Sequence, residues 1–149
     1  MFRALDDQWG LALSLTYAGV IMWMDPDAEA RASALFTESV ALFRNLGDEW
    51  GAAGSILYLG GIRQYQGDNA AARPLYEEFV TVMRAANDPW RLASGLDILA
   101  ELLRAEGEPQ QAATLTEESQ ALQRKLGKSL DLRRTWDRMK RRSRHEEGR

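Results

Sequence analysis

The stretch Asp48–Asp68, DEWGAAGSILYLGGIRQYQGD, contains a pattern that the rest of the chain repeats. Trp50 lies two residues after Asp48, and Trp9 and Trp90 each follow an aspartate at the same distance. The three tryptophans are 41 and 40 residues apart. Self-similarity at a fixed period of this size indicates a repeat protein.

Each repeat is predicted to form two helices. In the stretch just quoted, apolar residues at three- and four-residue steps form one helical face, and they are Ala53, Ile56, Leu57, Leu59 and Ile62. The aspartate before each tryptophan suits an N-cap, because its carboxylate accepts hydrogen bonds from the free N–H groups of a first turn. Gly67 then favours a helix end and Asp68 a new start. The sequence therefore predicts a helix hairpin in each repeat.

The second helices of the repeats align with one another. Residues recurring at intervals of 40 are Ala32, Ala72 and Ala112; Leu35, Leu75 and Leu115; and Glu38, Glu78 and Glu118. Small residues where two helices cross, with large ones a turn later, allow a hairpin to pack closely. Pro74 fits this pattern only if its helix begins near Asn69, which keeps the proline close to the first turn.

The two ends of the chain depart from the pattern. Residues 2–9 parallel residues 43–50 position for position, so the chain is predicted to open on the end of a repeat. Either the gene begins with a vestigial helix, or the chain is the C-terminal piece of a longer array cut at a repeat boundary, and we favour the second interpretation. After Gly127 the pattern begins a fourth time, and an apolar stripe of Leu132, Trp136 and Met139 is typical of a capping helix. The predicted organisation is a single domain over 1–142, with repeats at about 7–47, 48–87 and 88–127, a capping helix at about 129–142, and a charged, frayed tail over 143–149.

Charge is distributed unevenly along the 149 residues. From Arg124 onward there are 11 Lys/Arg against 4 Asp/Glu, whereas the preceding residues hold 8 basic and 18 acidic side chains. A basic run can bind nucleic acid through phosphate charge. Only Trp136 is interleaved with this run, however, and no recognition-helix signature accompanies it, which favours a solvated cap. Nucleic-acid binding by the basic C-terminus is kept as the alternative.

The chain offers little chemistry for catalysis. It has no cysteine, which excludes a disulfide, a thiolate metal site and a cysteine nucleophile. The one histidine, His145, lies in the charged tail, and neighbouring glutamates such as Glu77 and Glu78 point about 100° apart on a helix. No Gly-rich phosphate loop, signal peptide or 18-residue apolar run occurs. We therefore predict a cytoplasmic protein that is not an enzyme, with no metal, no cofactor and no membrane contact.

Several of these residues carry a family resemblance. Residues at the spacings of the tetratricopeptide repeat (TPR) signature are Leu59-Gly60, Gly67-Asp68, Ala72 and Tyr76, and in the next repeat Leu99, Ala100, Gly107, Ala112 and Leu115. Over residues 7 to about 140 the chain resembles the TPR family, although Arg63 stands where its consensus expects an aromatic residue. The period of 40 exceeds the basic repeat of about 34 residues. Together with the segment 38–48, it is similar to the extended repeats of large bacterial transcriptional regulators of the LuxR and AfsR type.

The resemblance implies an all-α fold, namely a right-handed TPR-like superhelix of three antiparallel helix hairpins plus a C-terminal capping helix. It also implies a non-catalytic scaffold or sensing module, part of or derived from a bacterial regulatory protein, whose partner is a protein or peptide. A small-ligand-binding regulator domain, with its site around Trp23 and Tyr65, is a further alternative.

In the TPR register the first helices line a concave groove. The predicted groove residues are Leu13, Thr16, Val20, Trp23, Leu57, Gly61, Gln64, Tyr65, Asp97, Glu101 and Arg104. The groove thus runs from apolar to charged, which suits an amphipathic segment or an extended peptide with a basic end. The alternative is that the apolar members pack inside the superhelix.

The first helix is apolar on nearly every side, and such a helix should be buried on every side. Only the short segment Phe2–Leu5 precedes it. We therefore expect preceding repeats or a second copy of the chain to cover it, with homodimerisation of the isolated chain through an edge formed by Trp9, Leu11, Leu15 and Met22.

Overall fold

The computed structural model describes residues 2–129. Its helices are α1 Phe2–Trp23, α2 Glu29–Asn45, α3 Glu49–Tyr65, α4 Asn69–Ala85, α5 Pro89–Ala105 and α6 Pro109–Ser129, with a short 3₁₀ helix Pro26–Ala28 before α2. Each odd-numbered helix packs against the next even-numbered one as a hairpin, and successive hairpins stack. The predicted all-α repeat fold is confirmed. The predicted capping helix beyond its first position, the basic side chains from Arg133 onward and His145 lie outside the described residues.

Aspartates begin three of the helices, as predicted. In each case Oδ1 accepts a backbone N–H of the first turn: Asp48 from Gly51 at 2.7 Å, Asp68 from Ala71 at 3.0 Å and Asp88 from Arg91 at 3.1 Å. The preceding turns contain a residue with positive φ, which is glycine at Gly47 and Gly67 and asparagine at Asn87. Local sequence alone thus determines where these helices start and stop.

The predicted repeat end at the start of the chain is wrong. Helix α1 begins at Phe2 and runs past Asp7 without a turn. Residues 2–9 differ from residues 43–50 at three positions, and one of them replaces Gly47, with its φ of 72°, by Asp6. Without glycine in the left-handed conformation, the backbone continues as helix.

No helix break occurs at Gly127 itself, and the boundary predicted between the third repeat and the capping helix stays a prediction. Helix α6 continues through this glycine to Ser129. Gly47 and Gly67 are each followed by an aspartate that caps the next helix, whereas Lys128 follows Gly127. The aspartate that accepts the free N–H groups of a first turn in those two repeats is thus replaced at this position.

Glycines allow the helices of the first two hairpins to cross closely. A Cβ at Gly19 would lie 2.7 Å from the ring of Phe36, and one at Gly60 would lie 2.5 Å from the ring of Tyr76. Both rings are buried, as are the recurring Ala32, Ala72 and Ala112. The predicted small-and-large packing is therefore confirmed, and α4 begins at Asn69 as Pro74 requires.

A buried hydroxyl cluster links the first three helices. Thr16 Oγ1 lies 2.7 Å from Ser39 Oγ and 2.9 Å from Ser55 Oγ, and Ser39 also donates to the carbonyl of Ala12. Among the described residues no buried side-chain nitrogen or oxygen lacks a hydrogen-bond partner. These polar groups are therefore compatible with a closely packed core.

The recurring tryptophans connect neighbouring repeats. The indole of Trp9 donates to Asp48 Oδ2 at 2.9 Å, and that of Trp50 donates to Asp88 Oδ2 at 3.3 Å. Each tryptophan thus contacts the carboxylate that caps the next first helix. A second interaction recurs between the second helices, where Arg44 pairs with Glu78 and Arg84 pairs with Glu118.

Replacing Asp88 by asparagine should remove an acid-sensitive contribution to stability. Burial, the largest single influence, raises the pKa of Asp88, but hydrogen bonds from Arg91 and Trp50 and the Arg91 charge together lower it below its ordinary value of 3.8. A carboxyl whose pKa is lower in the folded chain stabilises the fold above its unfolded pKa, and this contribution is lost as the pH falls through the folded pKa. The difference in unfolding free energy between wild type and Asp88→Asn, from urea titrations, should shrink below about pH 4.

The matched control is Asp68→Asn, at a cap that receives neither a tryptophan nor an arginine hydrogen bond. Its difference from wild type should change less over the same pH range. An Asp88→Asn difference that stays constant on acidification would show that the Trp50 and Arg91 contacts do not favour the charged form.

Candidate binding groove

A hollow of about 460 Å³ crosses the first helices of all three hairpins. It is lined by Trp23, Leu57, Tyr58, Gly61, Gln64, Tyr65, Tyr76, Ile98 and Glu101. Six of the predicted groove residues are among them: Trp23, Leu57, Gly61, Gln64, Tyr65 and Glu101. The structure therefore brings together residues from α1, α3 and α5 that are up to 78 positions apart in the sequence.

The indole of Trp23 forms one wall of this hollow. It lies over Gly61, where a Cβ would be 3.1 Å from the ring, so that the glycine permits the close approach. The indole meets Tyr58 edge to face, with ring centroids 5.6 Å apart. Tyr58 in turn stacks on the buried Phe36 at 5.0 Å. Contacts with Tyr58, and through it with the buried Phe36, therefore hold the indole of Trp23 in place.

Polar groups lie at the opposite side of the hollow. Tyr76 Oη donates to Gln64 Oε1 at 2.7 Å, and the Gln64 amide nitrogen makes no hydrogen bond within the described part of the chain. Burial raises the pKa of Tyr76, and the negative charge of Glu101 raises it further. The phenol therefore stays protonated as a donor near neutral pH, and the Glu101 carboxylate is close enough to influence it.

A second hollow of about 340 Å³ adjoins the first. Its lining residues are Trp23, Asp25, Pro26, Glu29 and Tyr65. Asp25 accepts the backbone N–H of Asp27 and so starts the 3₁₀ helix, and Glu29 accepts a hydrogen bond from Gln66. The two hollows share Trp23 and Tyr65, which consequently form a partition between them.

Three predicted groove residues of α1 pack elsewhere. Leu13 and Val20 pack against separate core clusters, and Thr16 uses its hydroxyl in the buried hydroxyl cluster. For these three the alternative interpretation, packing within the superhelix, describes the structure. The reason is that small serines at 39 and 55 leave room for the side chain of Thr16 in the interior.

The remaining predicted groove residues contact the last described helix. Asp97 accepts a hydrogen bond from Gln123 Nε2 at 3.2 Å, and Arg104 donates to Thr116 Oγ1 at 2.5 Å. Both partners belong to α6. These contacts place the two side chains towards the hairpin partner of α5, away from the lining of either hollow.

The N-terminal edge differs in detail from the prediction. Met22 packs against the core, whereas Trp9 remains 41% exposed although it donates to Asp48 and packs on Phe43. Leu15 is half-buried, and Leu11 is exposed as predicted.

From Gly10 to the end of α1 the exposed residues are Leu11, Ser14, Tyr17 and Ile21, which we term the open face. Ile21 is 67% exposed, whereas its counterparts Ile62 and Leu102 are 1% and 0% exposed. A register comparison between repeats would have identified this face from the sequence.

Sequence reasoning missed several lining residues: Asp25, Pro26, Glu29, Tyr58, Tyr76 and Ile98. Tyr76 was recognised only as a packing residue of the repeat signature. Tyr58 and Ile98 occupy equivalent positions 40 residues apart, so the spacing that revealed the repeat also contained this signal. The other three belong to the turn between α1 and α2 and to the first residue of α2, which the repeat pattern does not position.

Over residues 2–129 no helix is long and apolar enough to cross a membrane. The same part of the chain contains no group of three or more histidine, aspartate or glutamate side chains placed to hold a metal ion.

Comparisons with known proteins support the fold. The crystal structure of the TPR domain of Arabidopsis FLU matches with a TM-score of 0.68 and 15% sequence identity, over 76% of this chain and 95% of that domain. No family model matches the chain, and no curated protein matches it in sequence. The likeness shows that the chain has a TPR-like fold and leaves its function to be argued from its own residues.

Proposed function

We propose that this chain is a non-catalytic interaction module that binds a protein or peptide segment in the groove formed by α1, α3 and α5. The observation that carries the proposal is the hollow of about 460 Å³, which residues from all three first helices line together. Its apolar floor and its few polar groups suit the recognition of side chains along an extended segment. On the resemblance of its 40-residue repeats, we propose further that the module serves as the scaffold or sensing part of a cytoplasmic bacterial regulator.

A selection from a random peptide library should recover groove ligands. We expect selected peptides to bind wild type with micromolar affinity, since a groove of this size anchors only a few side chains. Tyr65→Ala should weaken them about tenfold, while Thr114→Ala on the exposed surface of α6 should leave affinity within about twofold. Tyr65 is 76% exposed, so its replacement should not disturb the fold. Peptides that bind equally to both variants, or no selected peptide at all, would refute the proposal.

Self-association through the open face is a second candidate. The observation in its favour is that Leu11 and Ile21 are exposed where the equivalent residues of α3 and α5 are buried. Contiguous apolar surface of this kind typically marks an interface.

The nucleic-acid alternative has less support from the described residues. Arg44, Arg73 and Arg84 lie on the second helices, and each is paired with at least one glutamate. They therefore do not form a row of free cations for phosphate groups.

A further inference from the structure

The chemistry of the two adjoining hollows indicates the kind of segment that they take. Trp23 and Tyr65 separate them, so that each hollow has an aromatic wall. Glu101 also lines the larger hollow, and Asp25 and Glu29 also line the smaller one. No lysine or arginine lines either hollow.

The basic side chains in the same helix ends are engaged elsewhere. Arg63 donates to Gln66, and Arg104 donates to Thr116 of α6. Within the described part of the chain, Glu101 has no ion-pair partner. The negative charge of the hollows is consequently not neutralised by a lysine or arginine of residues 2–129.

Aromatic ring faces attract cations, and a nearby carboxylate adds a charge-assisted hydrogen bond. The long stems of lysine and arginine also pack well on apolar surface while the charged end stays polar. The floor of Leu57, Gly61 and Ile98 offers such a surface, with Glu101 at its end. An acidic ligand would instead meet like charge in both hollows.

We infer that the groove recognises a basic peptide segment, with one lysine or arginine side chain in each hollow on either side of the Trp23–Tyr65 partition. This inference rests on the proposed use of the groove for peptide binding and specifies the class of partner. The stem of one cationic side chain lies on the floor of the larger hollow and its charge meets Glu101. The second cationic side chain packs between Tyr65 and Pro26 and its charge meets Asp25 and Glu29.

Fluorescence anisotropy with defined probes tests this assignment. The probes are fluorescein-labelled alanine peptides containing two arginines separated by one, two or three residues. Their counterparts replace both arginines by citrulline, which keeps the shape and removes the charge. At about 50 mM salt, where screening is weak, at least one diarginine probe should bind wild type about tenfold or more tightly than its citrulline counterpart.

Variants of the chain locate the binding. Glu101→Gln and Tyr65→Ala should each weaken the diarginine probe about five- to tenfold. The matched controls are Glu117→Gln, an exposed carboxylate of α6, and Trp90→Ala, an exposed aromatic residue outside both hollows. Both controls should stay within about twofold of wild type.

The outcomes separate this inference from the proposed function. If citrulline probes bind as tightly as diarginine probes, or if library-selected peptides occupy the groove and no diarginine probe does, the cation assignment is overturned and the groove function stands. If neither the probes nor any library peptide binds the groove, the proposed function fails and this inference fails with it.

Discussion

Replacing Phe36 by alanine should lower the free energy of unfolding by about 3–5 kcal/mol, the range for truncating a buried phenylalanine. The ring is 0% exposed, lies against Gly19 where α1 and α2 cross, and stacks on Tyr58. Removing it leaves a cavity between helices that cannot approach further, because Ala32 and Ile62 already pack there. Urea denaturation monitored by circular dichroism measures the loss.

Phe36→Ala should also weaken peptide binding in the groove. Tyr58 packs against the indole of Trp23, and Phe36 stacks on Tyr58. Removing the Phe36 ring therefore removes a contact that holds this aromatic wall in place. The control is Thr37→Ala, one residue away and exposed, whose hydroxyl only donates to the carbonyl of Ser33. That variant should stay within about 0.5 kcal/mol of wild type. A Phe36→Ala loss below about 1 kcal/mol would contradict the packing described for the first hairpin.

Features set by short stretches of sequence were predictable. The caps at Asp48, Asp68 and Asp88 depend on a carboxylate and on N–H groups three residues later, and all three are present. The same dependence on one residue explains the error at the start of the chain. Asp6 in place of Gly47 removes the residue that makes a turn, although the neighbouring Leu5 and Asp7 match the repeat.

Features set by distant packing were not predictable in the same way. The repeat spacing was recognised through the tryptophans, yet their hydrogen bonds join residues 38 and 39 positions apart and require the stacked hairpins. Thr16 occupies the same register as Leu57, which lines the hollow, but its hydroxyl reaches Ser39 and Ser55 in the interior. Helical register therefore indicates which side of a helix faces the groove, and the volume of the opposing residues decides which side chains remain there.

Substituting lysine for both Leu11 and Ile21 should convert a dimer of this chain into a monomer. In the single chain Leu11 is 49% exposed and Ile21 is 67% exposed, on a face whose counterparts in α3 and α5 pack against the preceding hairpin. Burying this face against a second copy removes apolar surface from water, whereas two buried lysines would have no partner for their charge. Sedimentation equilibrium should show dimer for wild type at micromolar concentration and a dissociation constant raised at least about 100-fold for the double variant.

The double variant should keep the unfolding free energy of the monomer, because neither side chain is buried within one chain. Trp90→Lys is the control, since Trp90 is 57% exposed on α5 and lies outside the open face, and it should leave the dimer intact. A wild-type chain that sediments as a monodisperse monomer at micromolar concentration would refute self-association. The open face would then be a candidate surface for a different partner, and α2 and α4, which cover the equivalent faces of α3 and α5, indicate the kind of helix surface that fits it.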